Sequence, residues 1–221
     1  MVHISDGILS TPILVSGWAI SIVVMAVTIW WCERRRDVVE EIPKLSVMTA
    51  AFFIASLIHI PIGPTSVHFI LNGLMGVVLG VLAYPAIFIG VVLQAFLFQH
   101  GGVTTIGVNT LIMGIPALIA GAIFRIIQIK DLEVFQNQSK RNSEALTGIV
   151  AALAGGVGVL FAVVFAAVTL IATGSQFFEI AGALIAAHIP IIIIEAVVTG
   201  SIITFLIKVK PELIRIKEEP R

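Results

Sequence analysis

The thirteen Lys and Arg residues of this chain alternate with its five His residues across a series of long apolar segments. Arg34, Arg35, Arg36 and Lys44 follow the first segment, Arg125, Lys130, Lys140 and Arg141 separate the fifth from the sixth, and Lys208, Lys210, Arg215, Lys217 and Arg221 form the tail. The apolar segments lie near 12–31, 46–60, 66–82, 84–98, 107–127, 145–173 and 179–207. A spanning helix needs roughly 20 apolar residues, and basic residues mark the cytoplasmic side. The pattern therefore predicts an all-α membrane protein of about seven transmembrane helices in the plasma (inner) membrane, with its N-terminus outside and its C-terminus in the cytoplasm.

Composition supports the class. With 58% hydrophobic and 12% charged residues and a mean hydropathy of +1.10, 221 residues cannot hide their apolar side chains in a water-soluble core. Zero net charge gives no case for a nucleic-acid partner; the bilayer is the expected surrounding. The single Cys, Cys32, offers neither a disulfide nor a thiolate cage and reads as structural. One integral membrane domain is expected over 1–221, divided into an N-terminal segment (1–11), a helical bundle (12–207) and a tail (208–221). The ERRR run after the first helix and the absence of a basic stretch before it argue against a cleaved signal peptide. Pro61, Gly63, Pro64 and Pro85 interrupt the apolar run into short pieces that must be shielded from lipid, which predicts a buried cavity.

On this topology the five imidazoles share the outer half of the molecule. His3, His59, His68 and His100 lie in or beside the outer connections, and His188 lies a few turns into the last helix. Imidazole is the commonest side-chain ligand of late first-row metals, and polar groups at membrane depth mark sites. His3 is the most specific clue. An early His can bind a divalent ion through the terminal amine, a deprotonated backbone amide and its ring, a planar nitrogen set that suits Ni²⁺, Cu²⁺ and Co²⁺ and excludes oxygen-seeking Mg²⁺ and Ca²⁺. If Met1 is retained, the Met1 amine, the Val2 and His3 amides and the His3 ring complete four donors. If Met1 is removed, the Val2 amine with the amide and ring of His3 supplies three, and a partner must fill the fourth corner.

Other residues carry alternatives. Thr65 and Ser66 read as N-caps of the third helix, placing His68 in its first turn. His59 is either an interfacial residue bonded to a turn carbonyl or part of the site; His100 is either a supporting or entry residue or a structural one. Thr104, Thr105 and Asn109 surround Gly101, Gly102 and Gly107 and could hold the N-terminal segment and set imidazole tautomers, and Asp6 could brace the N-terminal turn. Gln94 and Gln99 are expected to face the cavity. His188 and Glu195 stand two turns apart on one helix face, with Glu195 expected to serve a polar network or a partner contact.

The stretches HISDGILS (3–10), SLIHIPIGPTSVHFILNGLMGVVLG (56–80), LQAFLFQHGGVTTIGVNTLIMGIPA (93–117) and AHIPIIIIEAVVTG (187–200) resemble, in order and over nearly the whole chain, the CbiM/NikM family. These are the substrate-binding membrane subunits of energy-coupling factor transporters for cobalt and nickel. The resemblance implies a seven-helix bundle whose N-terminal segment folds back into a central, outward-facing cavity, and metal ligation by the N-terminal residue, His3 and His68. The family usually begins Met-His, whereas this chain begins Met1-Val2-His3; loss of Met1 would restore the usual spacing. The implied cargo is Co²⁺ or Ni²⁺, with no cofactor and no enzymatic activity. The chain has no GxxxxGK[ST] phosphate loop, so the implied partners are a transmembrane coupling subunit, ATP-binding cassette subunits and a small accessory membrane subunit. The competing readings are a proton-coupled secondary metal transporter working through His188 and Glu195, and a membrane metalloenzyme.

Overall fold

The computed structural model describes residues 3–35, 38–62, 65–134 and 140–214. After a short N-terminal segment come α1 (Thr11–Arg35), α2 (Val38–Ala55), a hairpin of β1 (His59–Ile62) and β2 (Thr65–His68), α3 (Asn72–Leu79) and α4 (Ala83–Phe98) joined by a 3₁₀ turn, α5 (Ile106–Val134), α6 (Lys140–Thr173) and α7 (Phe178–Val209). Among the described residues, five helical stretches are long and apolar enough to cross a membrane: Thr11–Arg34, Asn72–Phe98, Ile106–Gln128, Glu144–Thr173 and Ser175–Val209. Their outward faces carry exposed aliphatic and aromatic side chains, Val15, Ile22, Leu97, Leu153 and Val197 among them. That is the surface a hydrocarbon solvent demands.

Five such stretches stand where seven spans are expected, for two local reasons. The 46–60 segment corresponds to α2, whose 18 residues include Glu40, Glu41 and Lys44. The 66–82 segment is divided between β2 and α3, and the 84–98 segment is α4; the Gly80–Leu82 turn joins α3 to α4, so that the two count as the one stretch Asn72–Phe98. With Gly80 at φ +60° the chain doubles back there, since the ring centroids of His68 before α3 and His100 after α4 are 6.2 Å apart. Thr65 and Ser66 are not helix caps. They lie in β2, paired antiparallel with β1 in the register His59↔His68, Ile60↔Val67, Pro61↔Ser66 and Ile62↔Thr65. Alternating β-branched residues with Pro61 in the run favour an extended hairpin over a helix start. His68 therefore ends a strand rather than opening a helix, and α3 begins four residues later.

α3 is the centre of the molecule, and all eight of its residues are buried. It fits there because glycines remove the side chains that would hold its neighbours off. A Cβ on Gly76 would stand 1.9 Å from the Ala117 carbonyl oxygen of α5, and one on Gly73 would stand 2.6 Å from Gly155 Cα of α6. Asn72 ties the same three helices together: its Nδ2 donates to the Gly158 carbonyl at 3.0 Å and to that of Met113 at 3.4 Å. With α3 so fixed, the hairpin before it and the 99–105 turn after α4 come to the same end of the bundle, beside the N-terminal segment.

Candidate functional site

The N-terminal segment reaches into that end of the bundle, burying His3, Ile4 and Leu9. Asn109, in the first turn of α5, holds it by the backbone. Its Oδ1 accepts from the Ile4 N–H at 2.9 Å and its Nδ2 donates to the Ile4 carbonyl at 3.0 Å, so one carboxamide satisfies both polar groups of a buried residue. Two residues beyond Ile4, Asp6 Oδ1 accepts from the Thr104 N–H at 3.1 Å and from Thr104 Oγ1 at 2.5 Å. The HGG turn makes this approach possible. Gly101 has φ +81°, and a Cβ on Gly102 would lie 2.0 Å from Asp6 Cγ. Thr105 Oγ1 donates to the Gly102 carbonyl at 3.0 Å and accepts from Asn109 Nδ2 at 3.2 Å, closing the turn onto the clamp.

Through this tether the His3 ring meets two others. His3 Nδ1 and His68 Nε2 lie 3.1 Å apart. The His100 ring has its centroid 6.2 Å from each of them and lies within 7° of parallel to His68. The other nitrogens decide the tautomers. His68 Nδ1 is 2.8 Å from the Phe69 carbonyl, which can only accept, so in the neutral ring Nδ1 carries the hydrogen and Nε2 presents its lone pair. His3 Nε2 is 2.8 Å from Gln94 Oε1, which accepts its hydrogen and leaves Nδ1 with a free lone pair. With the rings in these tautomers, the two facing nitrogens at 3.1 Å offer a buried pair of donors that one cation could bridge.

Burial keeps both rings neutral. It pulls the His3 pKa from the ordinary 6.5 down to about 4, against the opposing hydrogen bond to Gln94 and with help from neighbouring His100. Burial, and then the neighbouring His3 ring, holds His68 well below the ordinary imidazole range. Among the described residues no three His, Cys, Asp or Glu side chains converge closely enough to cage an ion. An ion bridging His3 and His68 would need further donors as well.

His3, Asp6, His68, His100, Thr104, Thr105 and Asn109 are therefore neighbours at one end of the bundle. Met1 and Val2 lie outside the described residues, as does the side chain of His59, whose backbone pairs with His68. Gln94, expected only to face a cavity, is buried at the heart of the site, whereas Gln99 is exposed and adopts a left-handed C-cap after α4. The remaining two candidates lie on α7. His188 Nδ1 donates to the Leu184 carbonyl at 2.7 Å. The Glu195 carboxylate accepts from the backbone N–H groups of Ile70 and Leu71, a role that no local signal around position 195 announces.

The chain is similar over most of its length to proteins of metal transport. The CbiM family profile, described as the cobalt uptake substrate-specific transmembrane region, matches residues 3–213. A Haemophilus influenzae protein provisionally named a metal transport protein is 35% identical over 96% of this chain and 96% of its own length. The fused nickel transport protein NikMN of Rhodobacter capsulatus is 27% identical over 99% of this chain and 65% of its own length. A crystal structure of a truncated transition metal transporter superposes with a TM-score of 0.75 at 25% identity, covering 93% of this chain and 98% of that one.

Proposed function

The chain belongs to the CbiM family, the substrate-specific membrane components of cobalt and nickel transport, and from that membership and the facing imidazoles we propose that it captures Co²⁺ or Ni²⁺ between His3 and His68. It is a transport protein and not an enzyme. The observation that carries the reading is that two ring nitrogens, His3 Nδ1 and His68 Nε2, face one another 3.1 Å apart. Two nitrogens bound side by side in a plane at ordinary metal–nitrogen lengths stand about 2.9 Å apart, so the pair needs almost no adjustment to receive an ion. The other two corners fall to the His3 amide nitrogen and the amine of the first residue. His68 is needed as a ligand only if the N-terminus supplies three donors, which favours a chain processed to begin at Val2. Four nitrogens in a plane select late transition ions and reject Mg²⁺ and Ca²⁺, which take oxygen.

Asn109, Asp6 with Thr104, and the Gly101–Gly102 turn keep the segment docked, so that loading needs only the ion and not a search by a free chain end. His100 stacks on His68 and shields the site as an entry residue. The site opens to the non-cytoplasmic side, with the C-terminal tail in the cytoplasm. The Rhodobacter capsulatus relative is a fused protein that extends beyond the matched region, which supports a small accessory membrane partner for this chain. Energy comes from a coupling subunit and ATP-binding cassette subunits of the energy-coupling factor type. Proton exchange through His188 and Glu195 is the weaker reading, because each is engaged by backbone groups rather than by the other.

A short peptide added before Met1 tests the ligand set. Titration of the purified protein with Co²⁺ and with Ni²⁺ is expected to show loss of tight binding in the extended form and in His68→Ala, and mass spectrometry of the native N-terminal peptide is expected to begin at Val2. An extended protein that binds either ion like the original would overturn amine ligation.

A further inference from the structure

The geometry points to Glu195 as the residue that positions the His68 ring, acting from α7 through a single peptide plane. The inference rests on the proposed role of His68 as a ligand and adds the element that controls it. His68 is oriented by the hydrogen bond from its Nδ1 to the Phe69 carbonyl. That carbonyl belongs to the same peptide unit as the Ile70 N–H, and no peptide bond among the described residues is cis, so the two groups point in opposite directions from one rigid plane. The Ile70 N–H is held by Glu195 Oε1, and the next N–H, that of Leu71, donates to Oε2 at 2.8 Å. Both carboxylate oxygens thus fasten the short connection between β2 and α3. Rotating the Phe69–Ile70 plane would swing its carbonyl away from His68, free the ring and lose the tautomer that aims Nε2 at His3.

The local structure has few other means of holding this plane. Leu71 has φ +51°, a left-handed conformation that a Leu side chain disfavours, and no side chain caps α3 at that residue. Two adjacent amides before the helix would be orphaned in the core without an acceptor. Glu195 supplies that acceptor from 125 residues away, with its side chain fully buried. α7 lies chiefly along α6, and a shift of α7 along that contact would pull on the connection and turn His68. Metal affinity is thereby tied to the position of α7, which gives a moving partner a way to loosen the ion.

A double-mutant cycle on the full chain, read by Co²⁺ and Ni²⁺ binding and by the visible absorption of the bound ion, tests this. Glu195→Gln keeps the shape but leaves one amide facing an NH₂ group. It is expected to weaken binding about tenfold or more, as loss of a partner behind a metal ligand generally does, and to shift the absorption band. In a His68→Ala background the same change should alter affinity by less than about twofold, because its effect passes through the missing ring. Equal losses in both backgrounds would reduce Glu195 to a packing role, and unchanged affinity and spectrum in Glu195→Gln would remove it from the site. Should Glu195→Gln fail to insert, Glu195→Asp, which keeps the carboxylate and shortens its reach, is expected to show a smaller loss that also vanishes without His68. If His68→Ala itself binds like the original, the ligand reading fails; if His68→Ala is weakened while Glu195→Gln is not, only the role of Glu195 fails.

Discussion

At the scale of single residues, the decisive property is the proton inventory of two rings. Gln94 and the Phe69 carbonyl take the outward hydrogens of His3 and His68, and burial keeps a second proton off each ring. A neutral imidazole can ligate at once; an imidazolium must first give up its proton. With the His3 ring held to about 4, protons near neutrality compete with the metal only at the amide nitrogen and the terminal amine, whose ordinary value is about 8. Apparent Co²⁺ affinity is therefore expected to rise with pH by about two decades per unit between about pH 5.5 and 7, since two protons leave for each ion bound. A slope near one would exclude the amide, and steepening toward three below about pH 6 would mean that the ring keeps its ordinary pKa. Competitive titration against a chelator of known pH dependence gives the slope.

At the scale of elements, the site is made by three non-helical pieces placed between rods: the N-terminal segment, the β1–β2 hairpin and the 99–105 turn. Side chains from helices that packing has already fixed hold them: Asn109 of α5 and Gln94 of α4 hold the N-terminal segment, Asn109 also bonds Thr105 of the turn, and Glu195 of α7 holds the connection that follows the hairpin. Irregular backbone survives at such depth only where every polar group has a partner, so the clamps are conditions for the loops to exist. Asn109→Ala removes both hydrogen bonds to Ile4 and leaves two buried backbone groups unpaired, each costing about 1–3 kcal/mol. Gly102→Ala drives a Cβ into Asp6. Both variants are expected to lose metal affinity and to expose the N-terminal segment to limited proteolysis, with helical content by circular dichroism unchanged. Retained affinity in Asn109→Ala would show that the segment finds its place without the clamp. The hairpin was the element that escaped sequence reading, because a short apolar run bounded by Pro and Gly fits a strand and a helix end equally well. Thr65 and Ser66 have the chemistry of helix caps, and only the pairing with 59–62 uses them otherwise.

At the scale of the whole molecule, stability depends on how closely α3 sits to α5 and α6. In lipid there is no hydrophobic drive to bring helices together, so backbone approach through small residues supplies the contact. Gly76→Ala would place a methyl 1.9 Å from a backbone oxygen, which neither helix can yield without separating. Overpacking of this kind costs about 1–3 kcal/mol, and a clear fall in the thermal midpoint in detergent is expected. Gly182→Ala is the matched control, since nothing lies within 4 Å of a Cβ there, and its midpoint should hold or rise. Equal midpoints for the two would mean that α3 is not the keystone of the bundle.

The order of residues alone was enough for the membrane class, for the transport family through the spaced motifs around His3, His68 and His100, and for the presence of an imidazole site. Those properties are carried by composition and by short contiguous patterns. The chain also marked Asp6, Thr104, Thr105 and Asn109 as supports of the N-terminal segment, but the groups each one holds, and the parts of Gln94 and Glu195, were decided only by tertiary structure. Gln94, Asn109 and Glu195 act on residues 91, 105 and 125 positions away, and a hydrogen bond over such a separation leaves no periodicity in the chain. Glu195 reads in isolation as a costly charge in an apolar helix, and it becomes a support for His68 only once folding brings two orphaned amides to its carboxylate.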